Sequence, residues 1–163
     1  MRTVIIMRGI PGCGKTHETA KLISDVGPGE RTVVVSADHY FMNEESGEYE
    51  FDPTKLPYAH NDCMSRFLEA LGKRIELVVV DNTNVHHWEY HNYVLAADLA
   101  GYNVVIHEIM PSTLKGLRHC AERNSHGVPA PAVARMAMEF EADKRAKKFE
   151  VEELSGLATT DYW

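Results

Sequence analysis

The chain has 163 residues, of which 44% are hydrophobic and 25% charged, and its net charge is −7 at pH 7. This balance is ordinary for a globular protein and argues against broad electrostatic coating of a nucleic-acid duplex, although a small basic cleft on an acidic body stays possible. No apolar run approaches the roughly 20 residues of a membrane span, and the three widely spaced cysteines favour a reducing, cytoplasmic compartment without a membrane partner.

The first predicted strand leads directly into a glycine-rich loop. The strand covers Thr3–Arg8, the loop Gly9–Thr16 reads GIPGCGKT, and a helical pattern covers Lys15–Ser24. Strand, G-x-x-x-x-G-K-[ST] loop and helix in this order is the context that confirms a phosphate-binding loop. Backbone N–H groups in such a loop surround phosphate oxygens at the positive end of the helix dipole. A glycine-rich turn without a ligand is the alternative.

The phosphate loop predicts that the protein binds ATP and Mg²⁺. Lys15 would reach the β- and γ-phosphates, and the Thr16 hydroxyl would bind Mg²⁺. The predicted nucleotide-binding residues are Gly9, Pro11, Gly12, Cys13, Gly14, Lys15 and Thr16.

The rest of the chain alternates short β-branched runs with longer helical patterns. Predicted strands cover Thr32–Ser36, Glu76–Asp81 and Asn103–Ile109, and predicted helices cover Leu56–Leu71, His87–Ala100, Ser112–Arg123 (with Ser112 as N-cap) and Ala132–Lys148. Continuous apolar strands suit a sheet that is covered on both faces. The pattern therefore predicts one α/β domain over residues 1–163, with a four- to five-stranded, mainly parallel sheet and helices on both faces.

Asp38 directly follows the second predicted strand. Ligands in open parallel sheets bind at the carboxyl ends of the strands, so this carboxylate would face the phosphate loop. It is a candidate general base for a hydroxyl that attacks a phosphate, and a candidate Mg²⁺ ligand. The alternative is that Asp38 only caps a short helix that begins at His39 or Tyr40.

The third predicted strand ends in the polar run Asp81-Asn82-Thr83-Asn84. An aspartate after an apolar strand is typical of a Walker B element, in which it orients the Mg²⁺ shell. Asn82, Thr83 and Asn84 offer donors and acceptors for a sugar or phosphate of the acceptor, or they form an N-cap cluster for the following helix.

The segment Leu117–Pro129, here called the lid segment, follows as the next functional candidate. Arg118 and Arg123 lie in it, together with turn-prone residues. Mobile arginines that close over a triphosphate would neutralise the charge that develops in the transition state. The alternative is that both are surface arginines without a role.

Aromatic residues accompany Asp38 in the sequence. Tyr40 and Phe41 follow it, Tyr49 and Phe51 lie in the polar loop beyond, and Trp88 follows the third strand. These rings would stack on a nucleobase, or they would fix that loop to the domain. Met136, Met138 and Phe140 are predicted to face the core.

Taken together, these motifs resemble the polynucleotide-kinase-like P-loop kinases. The matching pieces are Gly9–Thr16, Ser36–Tyr40, Tyr49–Pro53, Asp81–Asn84 and Arg123–Pro129, in the order of that family. The resemblance implies a P-loop kinase fold with a helical lid and ATP-dependent phosphorylation of a hydroxyl, usually the 5′-hydroxyl of DNA or RNA. It implies phosphate and Mg²⁺ contacts for Lys15 and Thr16, the general base for Asp38, a lid arginine for Arg123, and acceptor contacts for Asp81–Asn84. The compartment would be the host cytoplasm if the gene belongs to a phage.

Two departures from the family concern the acceptor. The bacteriophage end-healing kinase has an arginine three residues beyond the base, where this chain has Phe41, and a second lid arginine, where this chain has Asn124-Ser125-His126. A related phage kinase phosphorylates 5-hydroxymethyluracil in DNA, and Phe41 beside Tyr40 would suit such an extruded base. Because the family usually phosphorylates 5′-hydroxyl groups, a nucleic-acid 5′-hydroxyl kinase is the leading interpretation. The alternatives are a hydroxymethyluracil DNA kinase, a small-metabolite or nucleoside kinase, and an ATP-dependent binding module.

Overall fold

A five-stranded parallel sheet forms the centre of the computed structural model, which describes residues 1–27 and 31–150. The strands are β1 (Thr3–Arg8), β2 (Thr32–Val35), β3 (Leu77–Asp81), β4 (Asn103–Met110) and β5 (Lys147–Glu150), in the order β2-β3-β1-β4-β5. The helices are α1 (Lys15–Val26), α2 (Leu56–Gly72), α3 (His87–Leu99), α4 (Leu114–Arg123) and α5 (Ala130–Glu139), with short 3-10 helices at Ala37–Phe41 and Pro53–Lys55.

Helices cover both faces of the sheet, as the continuous apolar strands predict. Successive side chains of a strand point to opposite faces. Val4 and Ile6 of β1 accordingly pack with buried residues of α2 and α3, whereas Ile5 and Met7 pack with residues of α1, α4 and α5. The predicted α/β P-loop fold is confirmed.

The long helix predicted over Ala132–Lys148 is wrong in its second half. The helix ends at Glu139, and Lys147–Glu150 forms β5 beside His107–Met110 of β4. The lysines and arginine in 144–148 suit a solvated helix locally, but pairing with a distant strand decides their conformation. In the connecting turn, the Asp143 carboxylate accepts hydrogen bonds from Arg145 and from the Tyr90 hydroxyl.

Smaller corrections concern helix ends and one core residue. Thr113, not Ser112, is the N-cap of α4, and its hydroxyl accepts a hydrogen bond from Gly116 N–H. Met138 is 87% exposed and does not face the core. Residues 28–30 and 151–163 lie outside the described residues, so the extent of the single domain past Glu150 stays a prediction.

Within residues 1–27 and 31–150, each helix is too short or too polar to cross a lipid bilayer.

Candidate active site

The phosphate loop is held tightly between three parts of the fold. Gly9 N–H donates a hydrogen bond to the Thr83 carbonyl at 3.0 Å, which ties the loop to the end of β3. A Cβ atom on Gly9 would lie 2.3 Å from the Ile109 carbonyl oxygen, and one on Gly12 would lie 2.0 Å from that of Cys120. Glycine is therefore required at both positions by the close approach of neighbouring backbone, at Gly12 in addition to its φ of 77°.

Lys15 lies across the phosphate loop at the start of α1. Its Nζ donates hydrogen bonds to the carbonyls of Gly9 at 2.9 Å and Ile10 at 3.3 Å. The Cys13 side chain is buried, whereas Thr16 is exposed on the first turn of the helix. Lys15 and Thr16 are thus placed at the mouth of the loop and at a helix N-terminus, where phosphate oxygens bind.

Asp81 lies at the carboxyl end of β3, close to both charged candidates. Thr19 Oγ1 donates a hydrogen bond to Asp81 Oδ2 at 3.4 Å. Burial raises the pKa of Asp81, the Asp38 carboxylate acts in the same direction, and the Lys15 ammonium opposes them. Asp81 therefore lies within electrostatic range of Lys15 and of Asp38. The site thus combines residues that follow β1 and β2 with the last residue of β3.

The oxygen atoms at this edge suit Mg²⁺. Thr16 contributes a hydroxyl, and Asp38 and Asp81 contribute carboxylates. Mg²⁺ prefers oxygen ligands and is held through one or two carboxylates together with substrate phosphates and water. The described residues contain no group of three or more His, Cys, Asp or Glu side chains that would hold a metal ion by themselves. The donor set fits an Mg²⁺ ion that arrives with the nucleotide.

Asp38 is held by two side chains from different segments. Tyr49 Oη donates a hydrogen bond to Asp38 Oδ1 at 2.9 Å, and His126 Nδ1 lies 3.1 Å from Asp38 Oδ2. Ser36, not Asp38, caps the 3-10 helix, since its Oγ accepts a hydrogen bond from Asp38 N–H. The carboxylate is 47% exposed, so the structure leaves it accessible rather than using it as a helix cap.

The predicted acceptor residues after β3 use most of their polar atoms for hydrogen bonds within the fold. Asn82 Oδ1 accepts a hydrogen bond from Ala37 N–H at 2.9 Å, which fixes the turn that carries Asp38. The Thr83 carbonyl holds Gly9. Asn84 is buried with φ 46°, and its Nδ2 donates to the Met7 carbonyl. Asn82 and Asn84 therefore position the site, and we exclude Asn84 from the acceptor contacts.

The lid segment touches the phosphate loop through Arg123. Its Nε donates a hydrogen bond to the Gly12 carbonyl at 2.6 Å. Asn124 closes the following turn, with hydrogen bonds to Ala121 and Val128. Arg118 is exposed on the same helix, α4. The structure brings Arg123 to the loop, and through His126 the same segment also reaches Asp38.

Phe41 does not line the surface beside Asp38, where the sequence predicts a contact with the acceptor. It is buried in the core between the sheet and α2, at 5% exposure. Tyr40 and Phe51, in contrast, are 41% and 51% exposed. Burial of the Phe41 ring contradicts its predicted role in direct substrate stacking.

Sequence reasoning missed the two partners of Asp38. Tyr49 was visible as an aromatic residue in a polar loop. His126 belongs to the run Asn124-Ser125-His126, which stands where the bacteriophage end-healing kinase has its second lid arginine. No local pattern indicated that either would reach Asp38, because both contacts join segments that are distant along the chain.

The comparison with family models agrees with this geometry. A model described as an AAA domain, AAA_33, matches residues 4–143. The chain belongs to the AAA_33 family. The resemblance to P-loop kinases that the motifs predict is confirmed, since solved structures of kinases share the fold.

The chain spans very different shares of the relatives and solved structures that it matches. The chain is 34% identical to human NEDD4-binding protein 2 over 140 residues. This match covers 85% of the chain but only 8% of that protein. A solved structure of the Pnkp1/Rnl/Hen1 RNA repair complex matches 85% of this chain and 44% of the other, with TM-score 0.63 and 15% identity. A gluconokinase from Sinorhizobium meliloti 1021 matches 96% and 88%, with TM-score 0.57 and 16% identity. At these identities the structural matches establish the fold alone.

Proposed function

We propose that this AAA_33 protein is a Mg²⁺-ATP-dependent kinase that transfers the γ-phosphate to a hydroxyl of nucleic acid, in the first place a 5′-hydroxyl. The observation that carries the proposal is the position of Asp38: an accessible carboxylate at the end of β2, within electrostatic range of Asp81 and bound to the lid segment through His126. A protein that used ATP only as a switch would not need an accessible carboxylate there.

Each charged residue then has one task in the transfer. Lys15 exchanges its hydrogen bonds to the Gly9 and Ile10 carbonyls for the β- and γ-phosphates. Arg123, now on the Gly12 carbonyl, lies where the charge of the transferred phosphoryl group develops. Thr16 and Asp81 would hold Mg²⁺, which would supply neutralisation of the phosphate charge.

Asp38 acts on the acceptor. Its carboxylate accepts the hydroxyl proton as the acceptor oxygen bonds to the γ-phosphorus, and the bond from that phosphorus to the β–γ bridging oxygen breaks to release ADP. Tyr49 and His126 hold the carboxylate toward the acceptor from two sides. This arrangement explains why the base is anchored and yet exposed.

The choice of nucleic acid has two supports. One is the shared fold with a protein of an RNA repair complex, and the other is the pair of exposed rings, Tyr40 and Phe51, next to the base. The hydroxymethyluracil alternative loses its argument because Phe41 is buried. A small-metabolite kinase is the second candidate, because the gluconokinase shares the fold over nearly the whole of both chains.

The test is phosphate transfer from ATP labelled in the γ-phosphate to matched acceptors. These are an oligonucleotide with a free 5′-hydroxyl, the same strand with a blocked 5′ end, a blocked strand that contains hydroxymethyluracil, and a panel of sugars and nucleosides. We expect label on the free 5′ end, and none with the Lys15→Ala variant. Label on sugars or nucleosides alone would refute the nucleic-acid acceptor, and no transfer to any acceptor would refute the kinase.

A further inference from the structure

Five aromatic rings form a cluster beside Asp38, those of Tyr40, Phe41, Tyr49, Phe51 and His126. Phe41 is buried, with its ring edge-on to Phe51 at 5.1 Å and to Tyr49 at 6.1 Å between centroids. Tyr49 stacks on His126 at 4.5 Å and donates its hydroxyl hydrogen bond to Asp38. Phe41, Tyr49 and His126 therefore build the wall behind the carboxylate.

Phe51 is more exposed than the other phenylalanine and tyrosine rings of this cluster, of which Tyr40 comes next at 41%. Its ring lies nearly parallel to that of Tyr49, at an angle of 9° and a centroid distance of 6.3 Å, and the residue is 51% exposed. Phe51 packs against Phe41 through ring contact on one side. The large apolar ring of Phe51 is therefore exposed to solvent beside Tyr49, whose hydroxyl donates the hydrogen bond to Asp38.

Hydrogen bonds that do not involve this ring also attach the loop to the domain. The segment that leads to Phe51 is fixed by backbone hydrogen bonds from Glu50 N–H to the Phe41 carbonyl and from Asn43 N–H to the Glu48 carbonyl, each 2.8 Å. Tyr49 adds its bond to Asp38. Because the loop is already held by these contacts, the exposed ring is available for a ligand.

We propose that the exposed face of Phe51 is a stacking subsite for the base of the nucleotide that carries the acceptor hydroxyl. This rests on the proposed function, since the subsite belongs to the same acceptor. Every nucleobase has an apolar π-face, and stacking on an aromatic side chain tolerates any base. The subsite therefore recognises that a base is present next to the hydroxyl, and it distinguishes nucleic acid from a sugar or another small hydroxyl compound.

The experiment compares two 5′-hydroxyl oligonucleotides that differ only at the first nucleotide, which carries a base in one and is abasic in the other. For the wild-type chain we expect KM for the abasic strand to be higher by roughly 5- to 100-fold, the range of one base–aromatic stack. The Phe51→Ala variant should show the same rise with the normal strand and no further loss with the abasic one, whereas Phe51→Tyr should retain the preference.

Leu99→Ala is the matched control, because Leu99 is an 81% exposed apolar residue at the far end of α3. It should leave both KM values unchanged. Equal KM values for normal and abasic strands in the wild type would overturn the subsite while leaving the kinase proposal intact. A Phe51→Ala variant that loses kcat with KM unchanged would also overturn it, since Phe51 would then act by holding Asp38. Failure to label any 5′-hydroxyl strand would instead refute the proposed function.

Discussion

At the scale of single residues, the proposed phosphate transfer depends most on Asp38. Asp38→Asn keeps the shape of the side chain and an acceptor oxygen for Tyr49, but removes the basic carboxylate. We expect kcat to fall by roughly 10²- to 10⁴-fold while ATP affinity changes little, because the residue acts on the acceptor. Steady-state kinetics with calorimetric measurement of ATP binding checks this. An unchanged kcat would remove Asp38 as the base.

His107 gives the protein a pH-dependent stability. It is buried on β4, its Nδ1 has no hydrogen-bond partner within the described part of the chain, and burial lowers its pKa to about 4, with Lys147 acting in the same direction. The unfolded state binds the proton near pH 6.5. Between pH 6.5 and 4 the unfolded chain therefore carries more protons than the folded one, so stability falls as the pH falls through this window.

Urea unfolding at pH 7 and pH 5 measures the effect of His107. Between pH 7 and pH 5, the free energy of unfolding should fall by about 2 kcal/mol more for the wild type than for His107→Leu. This difference follows from the pKa of His107, which is about 4 in the folded and about 6.5 in the unfolded chain. His91→Leu is the control, because His91 is exposed on α3. Equal losses in the wild type and His107→Leu would show that His107 is not the titrating group.

At the scale of elements, α4 of the lid segment packs directly against the phosphate loop. Gly12 lies against the Cys120 backbone, and its carbonyl accepts the hydrogen bond from Arg123. Gly12→Ala would push α4 away from the loop. We expect kcat/KM for ATP to fall by about 10²-fold, because a displacement near 1 Å is sufficient for such a loss.

Gly101→Ala is the control for Gly12→Ala. Both glycines have φ of 77°, so both variants carry the same backbone strain, but a Cβ on Gly101 would meet nothing within 4 Å. Gly101→Ala should lower the melting temperature and leave kcat/KM unchanged. If the two variants lose activity equally, strain and not the contact with α4 is responsible.

At the scale of the whole molecule, the buried Arg8 joins segments that are distant along the chain. Arg8 is 0% exposed and pairs with Glu108 of β4 at 3.1 Å. Its other nitrogens donate to the carbonyls of Asn84, Val85 and Glu141, and its guanidinium lies between the rings of Tyr90 and Phe140. These contacts connect β1, β4, the turn after β3 and the segment after α5.

Arg8→Met should therefore reduce the free energy of unfolding by about 3–5 kcal/mol, because it leaves Glu108 buried without a partner. Arg31→Met, which breaks the exposed pair between Arg31 and Glu76 at 3.4 Å, should cost less than about 1 kcal/mol. Urea unfolding of both variants tests the difference. A loss near that of Arg31→Met would mean that Arg8 does not hold these segments together.

Much of the fold and the outline of the site follow from local sequence. Apolar β-branched runs predict the first four strands within one or two residues, and the G-x-x-x-x-G-K-T loop marks the phosphate site. Asp38 and Asp81 lie within electrostatic range of each other because parallel strands place their carboxyl ends at one edge. Each of these features depends on a short stretch of chain and can therefore be predicted from the sequence.

Tertiary structure alone decided the features that depend on distant segments. The sequence 147–150 becomes a strand because β4 offers a free edge, Phe41 turns into the core because α2 and the sheet enclose it, and His126 reaches Asp38 because the lid segment crosses the site. Short windows contain no record of such partners. Burial and long-range pairing, not local propensity, therefore determined which aromatic rings remain exposed beside Asp38.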